Sequence, residues 1–308
     1  HRDLHLSIRR QRQMCIRDRA GTALLGCDIF AAKKSGVITG IQLYSVRDDM
    51  KKDPVGTLKQ LAAMGYVYVE HANYVDRKFY GYTAAEFKKL LDGLGIKMRS
   101  GHTTMNATHW DAAKNDFTDA WKQTVEDAAV VGQQYVISPW LDDENRKSFD
   151  DLKKYMEVFN KSGELCKKSG MKFGYHNHDF EFSQKLNDVK VFDIILQNTD
   201  PLLVTQQLDI GNMYHAGGIA ADIIKQYPGR FELLHVKDEI KAADVGEMDG
   251  KYESTILGKG IIPVKEVIDL AKKSGGTIHF IIEQESYQGM APIDCAKEDL
   301  GVMKKWGY

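Results

Sequence analysis

The chain has 308 residues, of which 43% are hydrophobic, and this length and apolar content suit one large domain with a substantial core. The formal net charge is −1, but residues 1–39 hold eight Lys or Arg against three Asp or Glu, so residues 40–308 carry about −6; this charge argues against nucleic-acid binding, which needs a basic surface. Four cysteines without a CxxC spacing indicate neither a disulfide framework nor a structural zinc site, and no apolar run is long enough to span a membrane.

Residues 1–36 differ from the rest of the chain, and we predict an unpacked tail there. The Arg-rich start, HRDLHLSIRRQRQMCIRDR, resembles a stretch found at the ends of unrelated metagenome-derived proteins and is interpreted as translated adapter sequence. The following run, AGTALLGCDIFAAKKSG, resembles the end of a secretory signal, with Cys27 close to a lipoprotein cleavage box. We therefore expect a periplasmic or lipid-anchored protein. A short N-terminal helix and a cytoplasmic location are the alternatives.

From Val37 onward, apolar strand-like runs alternate with helical patterns. Strand–helix alternation predicts parallel pairing with right-handed crossovers, and eight repeats favour a closed (β/α)8 TIM barrel over residues 37–308. No GxGxxG follows the first strand, which counts against a dinucleotide-binding fold. Gly65, Gly95, Gly132 and Gly170 are predicted helix C-caps. The strand-like runs are VITGIQLYSV, YVYVEHA, IKMRSGH, QQYVISPWL, MKFGYHNH, LLVTQQLDIGN, FELLHVKD and TIHFIIEQE.

Acids and imidazoles fall where these predicted strands end. In a parallel barrel the C-terminal strand ends share one face, and active sites are built there. Carboxylates and imidazoles from several strands can then bind one divalent metal, with Mn, Co, Mg and Zn all compatible. We predict Asp209, His235 and Glu283 as ligands, with His176 as the fourth ligand and Glu181 as its alternative.

Further polar and aromatic residues near the strand ends are assigned to catalysis and substrate binding. Lys237 follows His235 by two positions, so it lies on the same side of its strand and is predicted to stabilise an enolate oxygen. His178 stands in the same relation to His176 and is predicted to move a proton, with a pKa near 6.5. Glu283 is a further catalytic candidate. The predicted substrate-binding residues are Tyr44, Glu70, His102, Trp140 and Asn177.

The motifs LDIGN, LLHVKD and IIEQE resemble the xylose isomerase-like TIM barrel family of sugar phosphate isomerases and epimerases, over about residues 40–308. In that family the matching Asp, His and Glu are metal ligands. A fourth ligand, Glu, usually stands on strand five, where this chain has His176-Asn177-His178. Endonuclease IV, another member, uses a His three residues beyond the strand-six Asp. Asn212 stands there in this chain, which argues against DNA repair.

The resemblance implies a metal-dependent isomerase or epimerase that acts on a small sugar or keto-sugar through an enediolate. Three alternatives stay open at this stage. The same site could serve a lyase on 3-keto-glycosides, or a hydrolase that uses metal-activated water. The missing strand-five Glu also suits a non-catalytic sugar-binding barrel.

Overall fold

A computed structural model describes residues 38–308 of the chain. The expectations for residues 1–36, including a lipid anchor at Cys27, lie outside the described residues. The eight main strands are β1 (Ile38–Gln42), β2 (Tyr68–His71), β3 (Lys97–His102), β4 (Tyr135–Ser138), β5 (Lys172–His176), β6 (Val204–Asp209), β7 (Leu233–Val236) and β8 (His279–Ile282). They pair in parallel and close into a barrel in the order β1-β8-β7-β6-β5-β4-β3-β2. This confirms the predicted TIM barrel.

Helices follow the strands and surround the barrel. They are α1 (Arg47–Lys52), α2 (Pro54–Met64), α3 (Ala84–Gly93), α4 (Asp119–Val131), α5 (Phe149–Lys168), α6 (Phe180–Ser183), α7 (Val191–Asn198), α8 (Ile210–His215), α9 (Ala220–Gln226), α10 (Val264–Leu270) and α11 (Pro292–Trp306). Apolar side chains of these helices pack against the outward faces of the strands in two large clusters. In the part of the chain that the structure describes, no helix is long and apolar enough to cross a membrane.

Local signals set the helix ends. The Thr83 side chain accepts the Glu86 N–H, and the Glu86 carboxylate accepts the Thr83 N–H at 2.9 Å, so α3 begins with a capping box. Gly65 (φ 102°) and Gly132 (φ 98°) end α2 and α4 in the left-handed region, which is strained for other residues. These caps end the helices and let the chain turn directly into the next strand.

The barrel interior changes from apolar to polar along the strands. The apolar cluster inside it consists of Tyr68, Tyr135, Ile137, Leu233 and Ile281. Because every second residue of a strand lies on the same side, residues two positions further on also face inward. Those residues are Glu70, His235 and Glu283, and all three are buried. The strand pattern therefore gathers charged groups at the C-terminal end of the barrel.

Several connections at that end carry short antiparallel strands. The loop after β3 includes a pair formed by Trp110–Asp111 and Asp116–Phe117. After β7, Asp238–Lys241 pairs with Tyr252–Thr255, and we call residues 238–255 the strand-seven hairpin. Both loops follow the C-terminal ends of their strands and therefore lie at the polar end of the barrel.

Candidate metal centre

Four side chains from neighbouring strands converge at the C-terminal end of the barrel. His176 ends β5, Asp209 ends β6, His235 lies in β7, and Glu283 directly follows β8. Each offers one ligand atom, these atoms all lie within 4.8 Å of one another, and all four residues are buried. The structure thus brings together the predicted ligand set, with His176 and not Glu181 as the strand-five member.

Asp209 provides the clearest sign of a missing positive partner. Its Oδ1 accepts the Asn212 N–H at 2.7 Å. Its Oδ2 is buried, accepts no hydrogen bond from any described residue, and lies 3.6 Å from His235 Nδ1. Burial raises the pKa of this carboxyl, but the opposing effect of Lys237 and the nearby histidines is larger. The pKa therefore lies well below its usual range. An ionised, buried oxygen without a donor fits a cation ligand.

The Glu70 carboxylate orients His235 by accepting a hydrogen bond from its ring. The ring donates from Nε2 to Glu70 Oε1 at 2.6 Å, while Nδ1 lies 2.9 Å from Glu283 Oε2. Burial lowers the pKa of this imidazole, but Glu283 and Glu70 raise it well above its usual value. The surroundings therefore favour positive charge at Nδ1. A carboxylate holding the far nitrogen of a histidine is the usual arrangement around a protein-bound metal.

Gln207 connects the histidines to the same carboxylate. Its Oε1 accepts from His176 Nδ1 at 3.0 Å and from His102 Nε2 at 2.7 Å, and its amide donates to Glu70 Oε2 at 2.8 Å. Burial and neighbouring imidazoles lower the pKa of His176 well below its usual value, so its Nε2 carries a lone pair. Gln207 was not predicted from the sequence, although it precedes Asp209 by two positions and so faces the same side.

A cavity of about 280 Å³ opens onto this group. Its lining residues are Tyr44, Ala72, His102, Thr104, Pro139, His176, His178, Asn212, Glu283 and Glu285. The volume is near the lower end of the range for small-molecule sites, about 300 Å³. Tyr44 and His102 thus lie where a substrate would contact them. Glu285, two positions beyond Glu283, also lines the cavity and was not predicted from the sequence.

The other predicted substrate-binding residues lie beside or beneath the cavity. Glu70 is fully buried under His235. Asn177 contacts the backbone of Asp209, accepting its N–H at 3.0 Å and donating to its carbonyl at 3.1 Å. The exposed Trp140 ring lies 5.2 Å from the His178 ring. Within residues 38–308 these three are not among the cavity-lining residues.

Lys237 lies behind the cavity wall. Its buried ammonium donates to Asn212 Oδ1 at 3.1 Å and to the Glu285 carboxylate, and it lies 3.2 Å from Glu247 Oε2. Burial lowers the pKa of Lys237, but the surrounding carboxylates, Glu285 first, raise it well above its usual value. The Lys237 side chain is therefore positively charged and contacts two residues that line the cavity, Asn212 and Glu285.

His178 faces the cavity, and its Nδ1 is buried without a hydrogen-bond partner in the described part of the chain. Burial lowers its pKa to about 4, so the predicted value near 6.5 was wrong. Glu181, the alternative ligand, lies outside the cluster. It accepts the His178 N–H at 2.9 Å and the Tyr175 hydroxyl, and burial raises its pKa to about 8.

Comparison with known proteins agrees with this architecture. Residues 58–306 match the family described as xylose isomerase-like TIM barrel. A curated protein named inosose dehydratase, from Clostridium perfringens, is 26% identical over 178 residues, which are 54% of this chain and 58% of that protein. The chain thus spans less than two thirds of the length of this curated relative.

Two solved structures share the fold at low sequence identity. A sugar phosphate isomerase/epimerase from Parabacteroides distasonis superposes with a TM-score of 0.74 at 24% identity, covering 90% of this chain and 97% of that chain. The IOLI protein with a bound zinc atom superposes with a TM-score of 0.65 at 16% identity, covering 87% and 98%.

Proposed function

The chain belongs to the xylose isomerase-like TIM barrel family, and from this membership we propose that it is an enzyme that removes the α-proton of a sugar or keto-sugar with the help of one divalent cation. The observation that carries the proposal is the convergence of His176, Asp209, His235 and Glu283 next to a cavity of small-molecule size, where the Asp209 Oδ2 receives no hydrogen bond from residues 38–308.

Those four residues would hold the cation, and their mixed nitrogen and oxygen donors suit Mn, Co, Mg or Zn. When bound, such a cation polarises a carbonyl oxygen and makes the adjacent carbon more acidic. Glu70 and Gln207 keep His235 and His176 in the orientation that ligation requires, through the hydrogen bonds described above.

The neighbouring side chains supply the proton transfer and the charge stabilisation. His178 is neutral near pH 7, because burial lowers its pKa to about 4, so its Nδ1 can accept the α-proton. Glu283 is the second candidate base. Lys237 holds Asn212 and Glu285 in place, and its charge stabilises negative charge that develops on a substrate oxygen.

A lyase is the second candidate. Its base takes the α-proton, the new C=C bond forms, and the β-carbon–oxygen bond breaks with protonation of the departing oxygen. Such a reaction needs no second base to return a proton to a neighbouring carbon. This suits a strand-five position that holds His176 and not Glu. The name of the curated relative, inosose dehydratase, also favours it.

Isotope exchange and product analysis test both candidates. Mn²⁺-loaded wild-type protein should incorporate solvent deuterium at the α-carbon of a keto-sugar, and Asp209→Asn should abolish this. NMR of the product distinguishes a rearranged sugar from an unsaturated one. Hydrolysis without exchange would favour metal-activated water. Binding of keto-sugars with neither exchange nor product would favour a non-catalytic barrel and refute the proposed enzyme.

A further inference from the structure

A second group of metal-binding side chains lies between α8 and the strand-seven hairpin. His215 ends α8, Glu239 lies in the first strand of the hairpin, and Glu247 lies in its connecting turn. Their ligand atoms all lie within 4.8 Å of one another. None of the three belongs to the proposed metal centre, and none lines its cavity.

The polar atoms of this group are buried and largely unsatisfied. The side chains of His215, Glu239 and Glu247 are 3%, 0% and 10% exposed. Among the described residues, both ring nitrogens of His215 and both carboxylate oxygens of Glu239 have no hydrogen-bond partner. Such an atom destabilises the folded state if nothing compensates it. Such a cluster suits a ligand that all three side chains can share.

The orientation of each side chain indicates which atom would bind that ligand. Glu247 uses Oε1 to accept the backbone N–H of Ser254 at 2.9 Å, and its Oε2 lies 3.2 Å from the Lys237 ammonium. The Nε2 of His215 lies 3.3 Å from Glu239 Oε2. A methyl group at Gly250 would lie 3.2 Å from His215 Nδ1, so that nitrogen faces the hairpin backbone. The remaining Nε2 and carboxylate oxygens therefore face one another.

The charges around this group favour a cation. Three carboxylates, Glu239, Glu247 and Glu285, lie near one ammonium, Lys237, which contacts Glu247 and Glu285. One imidazole nitrogen and carboxylate oxygens are donors for divalent cations such as Mn, Co or Zn.

We propose that His215, Glu239 and Glu247 form a second divalent-cation site, which fixes the strand-seven hairpin to α8. The two turn residues Met248 and Asp249 adopt positive φ angles of 53° and 56°, which are strained for residues with a side chain. A cation bound by Glu247, directly before them, holds this turn in place. Because Glu247 also contacts Lys237, the bound cation keeps the hairpin against the wall of the catalytic cavity.

Counting bound metal tests the proposal. Metal-stripped protein is equilibrated with Mn²⁺ over a range of concentrations, and bound Mn²⁺ is measured by mass spectrometry. Wild type should bind two ions per chain, and Glu239→Gln should bind one. Glu253→Gln, a matched control on the same hairpin outside the group, should still bind two. Two ions retained by Glu239→Gln would overturn the proposal.

Asp209→Asn separates this site from the catalytic centre. It should retain one ion, and amide exchange of residues 238–255 should still slow on Mn²⁺ addition, as in wild type but not in Glu239→Gln. If wild type binds only one ion and Asp209→Asn binds none, the second site is refuted and the proposed catalytic centre stands. If wild type binds only one ion and only Glu239→Gln loses it, the second site is supported and the proposed catalytic centre is refuted.

Anomalous scattering from wild-type crystals grown with Mn²⁺ gives a direct answer even if a variant fails to fold. A peak enclosed by His215, Glu239 and Glu247 is expected. A peak at Asp209 with none at this group would overturn the proposal.

Discussion

At the residue scale, one buried carboxylate organises most of the candidate metal centre. Glu70 accepts hydrogen bonds from Gln42, Gln207 and His235, and the hydroxyl of Ser100 also donates to it. Burial raises its pKa, but the charges of His102 and His235 and its hydrogen bonds lower it well below its usual value. Glu70 is therefore an anion that orients the imidazoles and need not touch the substrate.

Glu70→Gln should weaken Mn²⁺ binding at the Asp209 site by about 10–100-fold, because the carboxylate that holds His235 Nε2 is lost while every ligand remains. Calorimetric titration of stripped protein measures the change. The exposed Glu144→Gln is the control and should bind as wild type does. Unchanged affinity in a folded Glu70→Gln protein would show that His235 is oriented by other contacts.

His178→Ala should slow deuterium exchange at the α-carbon of a keto-sugar by roughly 10²–10⁴-fold, the usual contribution of a positioned acid–base group. Bound metal should not change, because His178 lies outside the ligand cluster. Mass spectrometry of the recovered sugar and of the protein measures both quantities. Exchange as fast as wild type would identify Glu283 as the first alternative base.

At the element scale, the strands position the centre through their alternation and close packing. Inward-facing aromatic and aliphatic residues support the charged residues two positions later. Tyr68 lies below Glu70 in β2 and fills space that Gly40 in β1 leaves open, since a methyl group at Gly40 would lie 2.4 Å from the Tyr68 ring. The barrel wall therefore tolerates little change in side-chain size at this level.

Gly40→Ala should destabilise the protein by about 1–3 kcal/mol, because the added methyl group forces the Tyr68 ring to move. Gly301→Ala is a matched control inside α11, where no atom of another described element lies within 4 Å of the added methyl group. It should stabilise the helix by about 0.5–1 kcal/mol. Urea unfolding measures both, and equal effects would show that the barrel interior is not tightly packed at Gly40.

Asp299 in α11 links this helix to the end of the strand-seven connection by accepting the Leu257 N–H at 2.9 Å. Burial raises its pKa to about 7 from an ordinary value of 3.8. The folded state thus holds a proton that the unfolded chain releases, so this contribution to stability is complete below about pH 4. This contribution to the free energy of unfolding decreases as the pH rises from about 4 to about 7. Above about pH 7, Asp299 no longer makes the stability depend on pH.

Asp299→Asn should remove that dependence, so the variant gains stability relative to wild type between pH 4.5 and 7.5. The full difference corresponds to roughly 4 kcal/mol at most. Urea unfolding at the two pH values measures it, with the exposed Glu144→Gln as control. Parallel curves for Asp299→Asn and wild type would mean that Asp299 is ionised in the folded protein.

At the scale of the whole molecule, the barrel begins at Ile38 in β1 and its last helix, α11, ends at Trp306. The eight strands close without the first 37 residues, because β1 pairs with both β2 and β8. The Arg-rich, aperiodic residues 1–31 offer no pattern that would pack against such a barrel.

Deletion of residues 1–31 should leave the thermal midpoint within about 2 °C of the full chain, as expected for a segment that contributes little to unfolding. Circular dichroism melts of both proteins test this. A drop of many degrees would show that these residues belong to the folded domain.

The amino-acid sequence is enough to predict the barrel and the strand-end positions of most residues in the candidate metal centre. Both follow from local periodicity: apolar runs alternate with helices, and Asp209, His235 and Glu283 stand where their strands end. Because parallel strands share one end, residues far apart in the chain can be assigned to one site from their places in the strand pattern alone.

Which side chains meet in the site depends on the tertiary structure. His176 joins the cluster because Glu181 lies beyond the strand end and is held by Tyr175 and the His178 backbone. Strand register and the path of the loops determine the contacts that Glu70, Gln207 and Lys237 make. They also bring His215 next to the strand-seven hairpin. Sequence spacing does not encode these contacts, because they form between segments whose separation in the chain says nothing of their distance in the fold.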